Sequence, residues 1–174
     1  VSDWAASQES PLLQSFLALL HLPNARLGAG ELLAILEVPA VLRRFELDDD
    51  EFNQLRVWVQ ETGIRWGLDD GYPERFELPR MSGNSWLFGL RRMLLGYTSG
   101  GQPLAAAFDG IEPYDEVGGL DAELAGVLEA VLDRLLHWWQ QCQEDASPQA
   151  WAGRLRQLLQ DLFLARDEND RAVI

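Results

Sequence analysis

The sequence contains no lysine, a single cysteine and only two histidines. One cysteine, Cys142, excludes an internal disulfide framework and a thiol-rich metal site. His21 and His137 lie far apart in sequence. His137 and Cys142 stand five residues apart on an expected helix, which turns them away from each other, so no metal site is expected. No apolar run approaches the ~20 residues that cross a bilayer. The first residues lack the basic start and apolar stretch of a secretory leader, so a soluble, reducing, cytoplasmic setting is expected. The chain starts at Val1 without methionine and stops at Ile174 after a polar stretch, and reads as a fragment of a longer protein.

Because lysine is missing, all 14 basic residues are arginine. They oppose 28 acidic residues, for a formal net charge of -14. A GC-rich coding sequence accounts for an all-arginine set, and arginine also suits bidentate and stacked contacts to phosphate or carboxylate. A chain this acidic repels a polyanion as a whole, which argues against autonomous nucleic-acid binding. The 174 residues with 47% hydrophobic content suffice for one domain with its own core, and 10% aromatic residues, seven of them Trp, exclude a disordered tail.

Helical spacing dominates and no stretch alternates with period two, so the expected fold class is all-α, a compact bundle of six or seven helices with two long loops. Ser10-Pro11 reads as an N-cap followed by proline at the first helical position, ahead of Leu13, Phe16, Leu17 and Leu20. Pro23 ends that helix. Leu32, Leu33, Ile35 and Leu36 mark a second helix that stops before Pro39, and Pro39 opens a short turn carrying Leu42 and Phe45. Asp48 and Glu51 fit a capping box ahead of the apolar face Phe52, Leu55, Trp58 and Val59, with Gly63 as the stop. Residues Gly63 to Asn84 form a first loop. A helix starting near Asn84 or Ser85 places Trp86, Leu90, Met93 and Tyr97 on one face and ends at Ser99-Gly100-Gly101. Gln102 to Gly119 form a second loop. The stripe Leu120, Leu124, Leu128, Val131, Leu135 and Trp138 marks a long helix, and Ser147-Pro148 caps a last one bearing Trp151, Leu155, Leu158, Leu159 and Leu162.

Catalytic patterns are missing. Gly28-Ala29-Gly30-Glu31 lacks the Lys-Ser/Thr of a phosphate loop and reads as a turn into a helix. There is no G-x-S-x-G elbow. Asp109, Glu112, Asp115 and Glu116 lack the alternating spacing of a calcium loop, and Asp48 to Glu51 is explained by capping. No cofactor is expected, and no catalytic residue. The unusual chemistry is Gly63-Ile64-Arg65-Trp66-Gly67-Leu68-Asp69, an Arg-Trp pair between two glycines. Trp66 could stack a nucleobase while Arg65 holds a phosphate. Alternatively, Trp66 anchors the loop in the core and Arg65 pairs with Asp69 or Asp70.

The stretch from Trp58 to Asp70, Trp-Val-Gln-Glu-Thr-Gly-Ile-Arg-Trp-Gly-Leu-Asp-Asp, resembles the corresponding segment of RecC, the gamma subunit family of the bacterial RecBCD helicase-nuclease. The similarity continues through Phe88-Gly89-Leu90, Arg92-Met93-Leu94-Leu95-Gly96-Tyr97 and Pro113-Tyr114-Asp115-Glu116, and includes Pro11 to Pro23 and Glu37-Val38-Pro39. It covers nearly the whole chain to about Phe163. Ser99 to Ile111 has no close counterpart and is expected to be a variable loop.

The resemblance implies a superfamily 1 helicase-like accessory region of the 2B kind, with residues 1–174 as one helical domain and residues 1–22 arriving from a preceding helicase-like domain. It implies a non-catalytic role in double-strand break repair and recombination. The parent subunit would work with RecB and RecD, guide separated DNA strands and scan for the Chi sequence, binding DNA only within the whole complex. On this basis Arg65, Trp66 and Asp115 are the candidate strand contacts. Asp115 would accept a hydrogen bond from an exocyclic base amine, or alternatively cap its own turn. A free-standing acidic interaction protein or DNA mimic is the competing expectation, supported by the charge.

Overall fold

A computed structural model describes residues 11–81, 83–99, 110–118 and 121–166. Seven α-helices and two 3₁₀ turns are found there, with no strand element among the described residues, so the fold is all-α as the periodicity indicates. The helices are α1 (Pro11–His21), α2 (Ala29–Leu36), α3 (Pro39–Arg44), α4 (Asp49–Glu61), α5 (Trp86–Ser99), α6 (Asp121–Gln141) and α7 (Pro148–Leu162); the 3₁₀ turns are Leu22–Asn24 and Tyr72–Phe76. None of the helices among the described residues is long and apolar enough to cross a membrane. Ser10, Asp109, Leu120 and half of the second expected loop (102–109 and 119) lie outside the described residues.

Local chemistry sets the helix ends. At α4 the capping box is complete: Glu51 N–H donates to Asp48 Oδ1 at 2.8 Å and Asp48 N–H donates to Glu51 Oε2 at 2.9 Å. The acidic run there is occupied in starting a helix. At α7, Ser147 Oγ accepts from the Ala150 N–H at 3.2 Å, with Pro148 in the first turn.

The chain divides into two compact units: residues 1–25, 30–52 and 133–174, and residues 26–29 and 53–132. In the first unit, Leu19, Leu32, Leu36, Val41 and Leu162 are almost fully buried. Trp138 is buried too; its indole N–H donates to the Leu19 carbonyl at 2.8 Å, and its ring meets Trp151 edge-on at 6.2 Å. α3 is tied to α7 and the residues after it by Arg44 Nε donating to the Gln160 carbonyl (3.0 Å) and by the Leu164 N–H donating to the Ala40 carbonyl (2.8 Å).

In the second unit, Trp58, Trp86, Met93, Leu55, Leu128 and Val117 form the most deeply buried set. The buried face of α5 differs from the expected one. Tyr97 is 45% exposed, and Gly89 and Gly96 take places on the seam beside Trp86, Leu90 and Met93. A seam built on glycine carries no apolar signal, which is why the spacing favoured Tyr97.

Candidate functional site

The first loop is built from backbone outward. Beyond α4, Gly63 adopts φ +78°, its N–H donates to the Gln60 carbonyl, and the Ile64 N–H reaches back to the Val59 carbonyl at 3.1 Å. This pair of bonds is a Schellman stop, and it needs a residue that tolerates the left-handed region. The next residues are held from two sides. The Arg65 N–H donates to the Asn84 carbonyl at 2.8 Å while the Arg65 carbonyl accepts from the Ala29 N–H at 2.8 Å. Gly67 N–H donates to the Arg26 carbonyl, and the Gly67 and Leu68 carbonyls accept from the N–H groups of Trp86 and Leu87. The fully buried Trp86 fixes the far side by donating its indole N–H to the Leu27 carbonyl at 2.9 Å. Residues 65–68 therefore have few free backbone groups and a defined position.

On this frame Trp66 is half-buried. Its ring meets Phe76 edge-on at 6.2 Å, and the Arg26 guanidinium lies 5.9 Å from the Trp66 ring and 5.6 Å from that of Phe76. Arg65 is exposed, and among the described residues its guanidinium has no ion-pair partner. The pairing with Asp69 or Asp70 is not formed. Asp69 Oδ1 instead accepts from the N–H groups of Gly71 and Tyr72 at 3.0 and 2.8 Å and starts the second 3₁₀ turn, while Asp70 lies 3.8 Å from Arg80.

Asp115 is positioned by the other end of α5. A Cβ at Gly89 would fall 2.2 Å from Ile64 Cγ1, and one at Gly96 would fall 1.7 Å from the Tyr114 carbonyl oxygen. The two glycines are seven residues apart, two turns or about 10 Å along one face, so that face carries both the Ile64 and the Tyr114 crossings. Arg92 lies between them and links the two segments, donating from Nη1 to the Thr62 carbonyl (3.0 Å) and from Nε to the Glu112 carbonyl (2.9 Å). Tyr114 is buried, with its hydroxyl donating to Glu61 Oε2. Burial first, and then that bond and the Glu61 charge, push its phenol well above the usual range. Asp115 beside it is exposed, and among the described residues its carboxylate accepts no hydrogen bond, so the turn-cap alternative is not formed.

Arg65-Trp66 and Asp115 thus project from two segments fastened to one helix. The chemistry they offer is recognition: a guanidinium, an aromatic face and a carboxylate acceptor, all placed by backbone hydrogen bonds. No group of three or more His, Cys, Asp or Glu side chains suited to a metal occurs among the described residues. Burial pushes the Cys142 thiol up, away from the thiolate form a nucleophile needs. Sequence reasoning missed Arg26, Phe76 and Arg92. Their partners lie 40, 10 and 20 to 30 residues away, and none belongs to a local pattern.

A family model described as "RecBCD enzyme subunit RecC fourth domain" matches residues 9–174. The RecBCD enzyme subunit RecC of Escherichia coli K12 is 38% identical over 173 residues, covering 99% of this chain. That of Mycobacterium tuberculosis H37Rv is 35% identical over 137 residues, covering 79% of it. The Haemophilus influenzae protein of the same description is 31% identical over 173 residues, covering 97% of it. The matches take in 15%, 12% and 14% of those relatives, so this chain spans only a small part of their length.

Proposed function

The chain belongs to the RecC fourth-domain family, and from that premise we propose that it is a non-catalytic, strand-guiding module of a RecBCD-type complex. Residues 1–174 act as one accessory domain of the helicase 2B kind, with residues 1–22 leading in from a preceding domain. The assembled protein works in the cytoplasm with RecB and RecD subunits in double-strand break repair, and this module contributes to reading the Chi sequence.

The observation that carries the reading is Arg65. In a chain of net charge -14 it stands exposed, without an ion-pair partner among the described residues, on backbone bonded on both sides. Placed there, one guanidinium meets one phosphate without attracting the polyanion to the domain as a whole. Trp66 supplies a sequence-tolerant stacking face, and its contacts with Arg26 and Phe76 keep that ring in place. Asp115 discriminates: a carboxylate repels phosphate but accepts a hydrogen bond from the amino group of cytosine or adenine.

The test uses the full-length subunit assembled with its partners, carrying Arg65→Ala, Trp66→Ala or Asp115→Ala. Assembly and ATP hydrolysis should persist while the response to Chi weakens in at least one variant. Wild-type Chi response in all three would remove the strand-contact role. The charge of -14 favours a second reading, an acidic interaction module or DNA mimic, and the same experiment separates the two, because that reading leaves all three variants unaltered.

A further inference from the structure

In the second unit, residues 26–29 run beside residues 65–67, held by two backbone bonds. The Gly67 N–H donates to the Arg26 carbonyl at 2.9 Å, and the Ala29 N–H to the Arg65 carbonyl at 2.8 Å. Leu27 makes the bend between them. Its φ is 54°, in the left-handed region that a residue with a Cβ seldom adopts. Such a conformation persists only where the surroundings over-determine it. Here the Leu27 side chain is buried and its carbonyl accepts from the Trp86 indole. The backbone that carries Arg26 is therefore as firmly placed as the one that carries Arg65.

That backbone presents a guanidinium 5.9 Å from the Trp66 ring and 5.6 Å from the Phe76 ring. Attraction to an aromatic ring acts on the charge of the guanidinium and uses none of its five N–H donors. Arg26 is exposed, and among the described residues those donors make no hydrogen bond or ion pair. Arginines that serve the fold behave differently: Arg44, Arg92 and Arg154 each donate to backbone carbonyls. Trp66 thus has one uncommitted guanidinium as its chain neighbour, Arg65, and a second, Arg26, against its ring.

We propose, building on the strand-contact reading of Arg65 and Trp66, that Arg26 is a second phosphate contact. The site then holds one phosphate–base–phosphate step of a single strand. Trp66 stacks the base, and Arg65 and Arg26 each bond one of the two phosphates that flank it. Arginine suits the task because its planar fork matches phosphate oxygens while its face rests on an aromatic ring. The ligand is single-stranded, since a base must leave its helix to stack on a side chain. Phe76 holds the Trp66 ring from its edge and Arg26 holds it by charge, so the stacking surface and the second phosphate contact are parts of one cluster.

The test measures affinity of the assembled full-length complex, without ATP, for a duplex carrying single-stranded oligothymidine tails, over a range of salt. Arg26→Gln should weaken binding several-fold and make the slope of log affinity against log salt shallower by about 0.7. Arg26→Lys keeps the charge and should restore the slope. Arg26→Gln combined with Arg65→Ala should be shallower by about 1.4, one phosphate for each residue. If Arg26 only steadied the Trp66 ring, Arg26→Gln would weaken binding with the slope unaltered. That result, a change of only about 0.7 in the double variant, or impaired subunit assembly with an unaltered slope would each overturn the proposal. A shallower slope in Arg65→Ala with none in Arg26→Gln removes Arg26 alone. Unaltered slopes in both variants remove the strand-contact reading together with it.

Discussion

A methyl group added at Gly96 would lie 1.7 Å from the Tyr114 carbonyl oxygen and 2.5 Å from its carbon. Both are backbone atoms, so the clash is relieved only by moving the segment that carries Asp115. Gly96→Ala should therefore cost about 1–3 kcal/mol or more, whereas Gly126→Ala on α6, with nothing within 4 Å of the new carbon, should stabilise by about 0.5–1 kcal/mol. Urea unfolding of the two variants gives both signs in one comparison. Tyr114 adds a test by pH. Its folded phenol holds its proton above the ordinary 10.0, so above pH ~10 the folded chain binds a proton that the unfolded chain has released, and stability falls as pH rises. Tyr114→Phe should flatten that alkaline decline when urea midpoints are measured from pH ~9 to ~11; an unchanged slope would mean another group is responsible. Neither residue betrays its role in the sequence. A glycine inside a helix gives no sign of the backbone that will cross it, and Tyr114 meets Glu61 across 53 residues.

At the scale of elements, what was legible is what is local. The Asp48-Glu51 box and the Ser147-Pro148 cap were read correctly because the bonding partners stand three residues apart. Gly63 was legible for the same reason, as its bonds reach back three to five residues. Asp48→Ala should accordingly cost about 1 kcal/mol in urea unfolding. Asp49→Ala, whose carboxylate lies in the first turn of α4, should cost less, about 0.3–1 kcal/mol; equal losses would show that the box bonds add nothing beyond the helix dipole. The second 3₁₀ turn was not legible, because Asp69 starts it inside a stretch without periodicity. Nor was the frame of the candidate site. Residues 26–29 supply one side of it and Asn84 to Leu87 the other, so Arg65 is positioned by partners about 20 and about 35 residues away. Sequence could single out Arg65-Trp66 as odd chemistry. It could not show that the Asp69 and Asp70 carboxylates, the obvious partners of Arg65, bond elsewhere.

For the whole molecule, the governing quantity is the charge of -14, and it makes the role of Arg65 measurable. Phosphate contacts release counterions, so the logarithm of DNA affinity falls linearly with the logarithm of salt, by about 0.7 per phosphate neutralised on a single strand. If Arg65 holds one phosphate in the assembled complex, Arg65→Ala should make that slope shallower by about 0.7 and weaken binding to different sequences alike. Trp66→Ala should weaken binding while leaving the slope unaltered, since stacking releases no counterion. Asp115→Asn removes a negative charge, so nonspecific affinity should hold or rise slightly while discrimination between sequences declines. The three substitutions thus differ in kind as well as in size. Measuring affinity for two strands of different sequence at several salt concentrations separates them, and a slope unchanged in Arg65→Ala would take the phosphate away from that residue.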